Sequence, residues 1–284
     1  MNPTTSAVRL GFHRGWLEFR HSLGSSDQVY NVLITIAYTL VLWFQHDSVV
    51  EGSTLSLAAL SLPSMIGASV AFGGLVGPAG QLALNREDGT LLRAKAVPNG
   101  MVGYVVGRVV QTSLDISFGL VVGILPALLL IPDLTGAGLL DWLAVVPVLV
   151  LGLAATLPWG AIAGSIAKSP QGAMGFTMLP MMGVVAISGI FYPIHALPGW
   201  LQGLGQVFPV YWVGVGARAA LLPDAAAATE IGGSWRTLEM VGVLGVWAVV
   251  GFLLAPTILR RMARRESGAD MEQRRQAALQ RGVG

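Results

Sequence analysis

Long apolar segments alternate along the chain with short charged ones. Six segments hold about 20 mainly apolar residues each, the length that a helix needs to cross the hydrocarbon core of a bilayer. They cover 29–45, 54–79, 101–131, 139–167, 172–191 and 238–259. Within them apolar and polar residues do not alternate as in a barrel strand, and a spanning helix satisfies its own backbone in lipid. The pattern predicts an all-α polytopic membrane protein with six transmembrane helices in one domain over 1–284.

The composition supports this class. Hydrophobic residues make up 54% of the chain and charged residues 11%, and the mean hydropathy is +0.67, whereas a soluble domain carries roughly a quarter charged residues. Cysteine is absent, which excludes disulfides and thiolate metal sites. The first apolar segment starts too far from the N-terminus for a signal peptide, and no small-residue cleavage site follows it. We therefore expect it to be a retained span.

Basic residues collect on one predicted side of the membrane. The segments before 29, between 79 and 101, between 167 and 172, and after 259 hold 14 of the 17 Lys and Arg residues. The intervening loops are acidic, with Arg218 and Arg236 as their basic residues. Because cytoplasmic loops carry the excess of positive charge, both termini and the basic tail at 260–284 are predicted to lie in the cytoplasm.

The charged segment 84–98, LNREDGTLLRAKAVP, is the longest predicted cytoplasmic connection between spans. Gly89 suits the end of the preceding helix, and Thr90 suits the N-cap of a short helix at 91–97. Pro98 would end that helix, because the residue before proline disfavours the α region.

The short helix is expected to lie across the membrane face, with Leu91 and Leu92 available to a partner. An ordinary solvated loop that only fixes topology is the alternative.

A basic amphipathic helix is predicted at 8–24. Phe12, Trp16, Phe19 and Leu23 recur at helical spacing, and basic residues occupy much of the remaining surface. Such a helix lies in the membrane interface.

The segment 191–218 is apolar and aromatic but is broken by three prolines. Short, half-inserted helices at the outer membrane face are expected here. Trp200, Tyr211 and Trp212 are predicted to anchor them at the interface.

A polar stripe interrupts the third apolar segment. Tyr104, Arg108, Gln111 and Asp115 share one helix face. Arg108 and Asp115 lie about 10 Å apart along the axis, too far for a direct bond without Gln111 or water between them. Three alternatives stay open: the stripe lines a substrate path, it pairs structurally with another helix or a second subunit, or Arg108 simply extends to the cytoplasmic surface.

The sequence lacks the common motifs of nucleotide-binding, metal-binding and hydrolytic sites. It contains no phosphate-binding loop, no metal-ligand spacing among its four histidines and no nucleophile elbow. We therefore expect no metal site, no cofactor in this chain and no nucleic-acid partner. Two classes stay open: a transporter subunit driven by a partner ATPase, and a membrane-embedded enzyme or stand-alone channel that uses Arg108 and Asp115.

The order of these features resembles the permease subunit of type-2 ABC exporters, the group that includes bacterial daunorubicin and multidrug permeases. The resemblance rests on NREDGTLLRAKAVP after the second apolar segment, on SGIFYPIHALPGWLQGLGQVFPVYW at 188–212, and on the six-span layout with its amphipathic N-terminal helix.

The resemblance implies a bacterial inner-membrane permease that pairs with a second, identical or paralogous permease and with separate ABC ATPase subunits, which bind ATP and Mg²⁺. It implies export of a hydrophobic or amphipathic substrate such as a drug, lipid or glycoconjugate, without selecting one. The residues that it assigns to ATPase coupling are Arg86, Glu87, Asp88, Gly89, Thr90, Leu91, Leu92 and Arg93. The residues that it assigns to outer re-entrant helices are Phe191, Tyr192, Pro193, Leu197, Pro198, Trp200 and Pro209.

Overall fold

The computed structural model describes residues 3–49, 56–130, 137–167, 169–265, 272 and 276. Eleven α-helices account for most of these residues, and the described part contains no β-sheet. The helices are α1 (Pro3–Ser22), α2 (Ser26–Gln45), α3 (Leu57–Ala71), α4 (Gly77–Glu87), α5 (Thr90–Lys95), α6 (Gly100–Leu130), α7 (Leu139–Ile166), α8 (Pro170–Ala186), α9 (Gly199–Val207), α10 (Pro209–Leu221) and α11 (Thr237–Arg265). The predicted all-α membrane fold is confirmed.

Four described stretches are long and apolar enough to cross a membrane. They are Leu57–Glu87, Gly100–Pro126, Leu139–Ile166 and Thr237–Met262. Helices α2 and α8 occupy the other two predicted spans, but α8 has 17 residues and ends at Ala186, short of the predicted 191. The count of six spans stays a prediction. Thr54, Ile131, Lys168 and most of the basic tail lie outside the described residues.

Helices α3 and α4 form one continuous rod through a π-helical segment, Phe72–Val76. Two glycines in it allow neighbouring helices to approach closely. A Cβ atom on Gly73 would collide with Ile116 of α6, and one on Gly74 would collide with Thr156 of α7. The rod is therefore wedged between α6 and α7 at its midpoint.

Helix α7 continues this close packing toward the end of the rod. Gly160 lies against the backbone of Leu75, and Gly164 against Ala79, so the spacing of small residues in α7 is used within the chain. Helices α4, α7 and α11 finish at the same end of the molecule, where α5 lies and α6 begins. We call this the α5 end and the other the opposite end.

Helices α9 and α10 form a hairpin that enters the bundle from the opposite end. Gly214 of α10 contacts Gly67 midway along α3, and Leu222 packs on Leu60 near the start of α3. The expected short helices are thus present. The predicted anchoring by Tyr211 and Trp212 is wrong, because these side chains are 1% and 2% exposed and belong to the core.

Candidate functional site

The charged segment folds into a sharp corner at the α5 end. Helix α4 ends at Glu87, and Gly89 adopts the left-handed conformation (φ 76°) that a C-terminal stop requires. Thr90 is the first residue of α5, so its predicted N-cap role is wrong. Gly89 is the N-cap residue, and the Asp88 carboxylate accepts a hydrogen bond from the Thr90 backbone N–H at 2.8 Å. The short helix ends at Lys95, two residues before the predicted 97.

Leu91 fixes α5 to the bundle. Its side chain is 0% exposed and belongs to a cluster with Leu82 of α4 and Tyr104 of α6, against which Leu259 and Met262 of α11 pack. The expectation that Leu91 is available to a partner is therefore wrong, while Leu92 stays partly exposed. Leu91, together with the buried Ala94, therefore attaches α5 to the ends of three long helices.

Arg86 is also an internal residue. It is 8% exposed, and its Nη1 donates to the carbonyl oxygens of Gly164, Ser165 and Ala167 at 3.2, 2.9 and 2.9 Å. These carbonyls lie at the C-terminal end of α7, where a helix leaves its last carbonyl groups without intrahelical donors. Arg86 therefore joins α4 to α7, and the surface available to a partner consists of other residues.

The exposed face of α5 carries charge. Asp88, Arg93 and Lys95 are exposed, and Glu87, Thr90 and Leu92 are partly exposed. Beside this face a groove of about 370 Å³ separates α5 from α1, with Arg93 and Arg14 among its lining residues. The groove and the charged face together form a polar surface at the end of the bundle.

The polar stripe of α6 pairs with α1 of the same chain. Arg108 Nη1 donates to Gln111 Oε1 at 2.7 Å, and its Nη2 lies 3.4 Å from Glu18 Oε2. Ser22 Oγ donates to Asp115 Oδ1 at 2.6 Å. Gln111 thus contacts Arg108, one of the two charges that it was predicted to bridge, and the expected pairing with another helix is met by α1.

Helix α1 reaches the stripe along a seam of small residues. A Cβ atom on Gly11 would lie 2.5 Å from the Gly103 carbonyl oxygen, and one on Gly15 would lie 2.5 Å from that of Gly107. The two helices run parallel along this seam. The four-residue spacing of glycines on both helices is the sequence signal for such packing, and it was not among the predictions above.

Because α1 packs on α6 through this glycine seam, most of its predicted aromatic face points away from the bundle. Phe12 is 61% exposed and Trp16 46%, whereas Phe19 is buried. An outward aromatic face is compatible with lipid contact, and the placement of α1 in the membrane interface stays a prediction.

A cavity of about 900 Å³, called the central chamber below, lies between α2, α3, α6 and α8. Arg108, Gln111 and Asp115 line it, so the side chains that hold α1 also face open space. Met174 and Met178 of α8 lie on its wall. The polar stripe therefore pairs with a helix of the same chain and also borders a chamber of the size of a drug-binding pocket. That the stripe lines a substrate path stays a prediction.

A buried ion pair lies toward the opposite end of the molecule. Arg218 Nε lies 2.6 Å from Glu230 Oε1, with side chains 2% and 4% exposed. Ser64 Oγ accepts a hydrogen bond from Arg218 Nη1, and Tyr211 donates to Glu230 Oε2 at 3.3 Å. Both charges lie in segments predicted on the side opposite the cytoplasm, and their spacing in the sequence does not show that they are buried.

Comparison with known proteins agrees with this arrangement. The ABC-2 type transporter family model matches residues 8–222, which include most of α1, all of α5 and α6, and the chamber. No individual characterised protein matches the chain. The match covers more than half of the chain and includes the charged segment 84–98 and the packed helices α1 and α6. The chain therefore belongs to the ABC-2 type transporter family, as a membrane permease subunit that works with an ABC ATPase.

Proposed function

We propose that this permease forms the transmembrane part of an ATP-driven exporter, which moves a hydrophobic or amphipathic substrate out of the bacterial cytoplasm. A separate ATPase subunit binds ATP and Mg²⁺ and docks at the α5 end, and a second permease, identical or paralogous, completes the pathway. The observation that carries this proposal is the attachment of α5, which buries Leu91 and Ala94 in the bundle and has a charged face outward.

Helix α5 is built to transmit displacement. It joins α4 to α6, and Leu91 ties it to both as well as to α11. Gln81 of α4 and Arg108 of α6 line the central chamber. A displacement of α5 by a docked ATPase therefore moves two walls of the chamber, which is the shared element that coupling between distant sites requires.

The charge distribution supports a cytoplasmic α5 end. Arg93 and Lys95 of α5, together with Arg260, Arg261 and Arg264 of α11, lie at this end. Excess positive charge marks the cytoplasmic side, and the cytoplasm is where ATP is available to a partner.

A charge reversal on α5 tests this proposal. Arg93→Glu changes an exposed side chain that makes one short-range hydrogen bond, to Thr90, so the permease should fold normally. Asp224→Lys is the matched control, since it reverses an exposed charge at the opposite end. Both variants are coexpressed with the ATPase, purified through the permease, and assayed for ATPase retention, ATP hydrolysis and export from inverted vesicles.

We expect Arg93→Glu to lose the ATPase and export, whereas Asp224→Lys keeps both. Retention of the ATPase and of export in Arg93→Glu would contradict docking at α5. ATP-independent substrate flux through the purified permease would instead favour the stand-alone channel.

A further inference from the structure

The groove between α1 and α5 presents two arginine side chains from different helices. Its volume is about 370 Å³, and α1, α5 and the start of α6 form its walls. Arg14 of α1 and Arg93 of α5 line it, and no acidic residue is among its described lining residues. Asp88 and Lys95, which belong to the exposed charged face beside it, do not line it. The groove is therefore a cationic site next to the proposed docking surface.

Both guanidinium groups keep N–H donors that a ligand can use. A guanidinium has five such donors. Arg14 Nε donates to Glu18 Oε1 at 2.6 Å, and Arg93 Nη2 donates to Thr90 Oγ1 at 3.0 Å. The Arg14 guanidinium also lies 5.8 Å from the centre of the Tyr104 ring, which is part of the groove wall. These contacts hold both groups at the groove and leave most of their donors unused among the described residues.

The contacts of the two arginines do not neutralise them. Glu18 is shared, because its Oε2 lies 3.4 Å from Arg108 Nη2 while its Oε1 accepts from Arg14. One carboxylate therefore serves two guanidinium groups. The hydrogen-bond partner of Arg93 is Thr90, whose side chain is neutral. The groove thus keeps excess positive charge and attracts a ligand that carries negative charge.

Exposed apolar side chains border the two arginines. Leu10 of α1 and Val97, which follows α5, line the groove and are exposed. Helices α1 and α6 run parallel from the α5 end, so residues that follow Arg14 in α1 lie farther from that end. Leu17 lies one turn beyond Arg14 on the same face of α1 and is also exposed. Charge near the α5 end is therefore followed by apolar surface, which is the order of headgroup and acyl chain in a leaflet on that side.

We propose that this groove binds the phosphate headgroup of an anionic phospholipid of the cytoplasmic leaflet. The guanidinium groups of Arg14 and Arg93 donate to the phosphate oxygens, and an acyl chain lies along the side of α1 that continues to Leu17. The bound lipid joins α1 to α5 at the surface of the membrane. This inference goes beyond the proposed function, because the site holds neither the exported substrate nor the ATPase.

The lining of the groove discriminates between possible ligands. The amine of a zwitterionic lipid finds no acidic partner in the lining and is repelled by two arginines, so the groove selects by attraction and by repulsion. Anionic lipids are concentrated in the cytoplasmic leaflet, where basic pockets between helices bind their headgroups. An acidic segment of a partner protein would satisfy the arginines but would leave Leu10 and Val97 beside polar groups, so these exposed apolar side chains favour a lipid.

Chemical modification of arginine tests the proposal on the purified permease. The permease is placed in nanodiscs of phosphatidylcholine alone or with phosphatidylglycerol added. Phenylglyoxal, an uncharged reagent for guanidinium groups, is then added, and the rate of modification at each arginine is measured by mass spectrometry. Phosphatidylglycerol should slow the modification of Arg14 and Arg93 about tenfold, the effect of one charge-assisted contact. Arg9 is the internal control, because it is exposed on α1 and does not line the groove.

Replacement of one arginine tests whether both bind the same lipid. Arg93→Gln should remove most of the protection that phosphatidylglycerol gives to Arg14, and Arg14→Gln should remove most of the protection of Arg93. Arg93 is exposed and donates to Thr90, so Arg93→Gln should fold normally even if Arg14→Gln loosens α1.

Arg20→Gln is the matched control variant. Arg20 is exposed on α1 and does not line the groove. Its replacement removes the same charge from the same helix and should leave the protection of Arg14 and Arg93 unchanged.

Equal modification rates in the two kinds of nanodisc, or protection of Arg14 that persists in Arg93→Gln, would overturn the inference. So would equal protection by inorganic phosphate in phosphatidylcholine nanodiscs, which would identify a free anion as the ligand. Protection by an added ATPase but not by phosphatidylglycerol would assign the groove to the protein partner and would also overturn it.

The lipid assay needs neither ATP nor an ATPase, so its result is separate from that of the docking experiment. A permease that couples to its ATPase but shows no protection by phosphatidylglycerol would refute the lipid site alone. A permease that shows this protection but fails to couple would refute the proposed function alone.

Discussion

Replacing Glu230 by alanine tests the buried ion pair at the opposite end. Glu230 supplies the carboxylate that lies 2.6 Å from Arg218 Nε, and both side chains are almost completely buried. After the replacement, Arg218 keeps its hydrogen bond to Ser64 but has lost its counter-charge in a region closed to water.

The magnitude follows from this geometry. Removing one partner of a buried ion pair costs about 3–5 kcal/mol in the free energy of unfolding, because the remaining charge stays buried without compensation. Glu230→Gln keeps an acceptor near Arg218 and should cost less. Removing both charges with Arg218→Met and Glu230→Leu should also cost less than Glu230→Ala, since no uncompensated charge remains.

The assay is unfolding by SDS in mixed micelles, followed by tryptophan fluorescence. Trp212 is a suitable reporter, since its ring packs against Tyr211, which donates to Glu230. Glu239→Ala is the matched control. Glu239 is a 52% exposed carboxylate that lies 3.4 Å from Arg236, and such a surface pair contributes about 0–1 kcal/mol.

A Glu230→Ala protein as stable as the Glu239→Ala protein would refute this reasoning. So would a double replacement that is less stable than Glu230→Ala, because that result would place the stabilisation in the packing of the side chains and not in the compensation of charge.

Three further replacements address the packing that positions the site. Leu91→Ala should lower the free energy of unfolding by about 2–5 kcal/mol, as for other buried leucines, and should loosen α5, measured as faster proteolysis of that helix. Arg86→Met should cost about 3 kcal/mol through lost charge-assisted hydrogen bonds to α7, whereas Arg93→Met on the exposed face of α5 should be nearly neutral in the same unfolding assay. Gly15→Leu should cost about 1–3 kcal/mol by overpacking and release α1 from α6, seen as lost crosslinking between cysteines introduced into the two helices, whereas Leu17→Ala on the exposed side of α1 should keep the crosslink.

Hydrophobic periodicity predicted most helix positions because membrane helices are defined by local sequence. The span at 139–167 and the helix α7 at Leu139–Ile166 nearly coincide, and Gly89 ended α4 as expected. Local backbone preference and apolar length decide these features, so one sequence is sufficient to locate them.

Burial of polar and aromatic residues was not predictable in the same way. Arg86, Arg218 and Trp212 were expected at surfaces and are buried, because each is satisfied by a partner distant in sequence or on another helix. Arg86 donates a hydrogen bond to the Gly164 carbonyl oxygen, and Arg218 donates one to the Ser64 hydroxyl. These contacts depend on how the helices pack in three dimensions. A charged or aromatic residue near the end of an apolar segment suits both an interface and a buried network, and the sequence does not separate the two.

The π-helical segment at Phe72–Val76 sets the rotational phase of everything that follows it in the rod. One residue of an α-helix turns the chain by about 100°, and a π segment accommodates an extra residue without breaking the rod. If the same residues wound instead as a regular α-helix, α4 would be turned by about that angle. Arg86 would then point away from the end of α7, and Leu91 would leave its buried cluster with Leu82 and Tyr104. The orientation of the exposed face of α5 is thus encoded upstream of the corner that presents it, so a change in how this segment winds redirects the face without altering any residue on it.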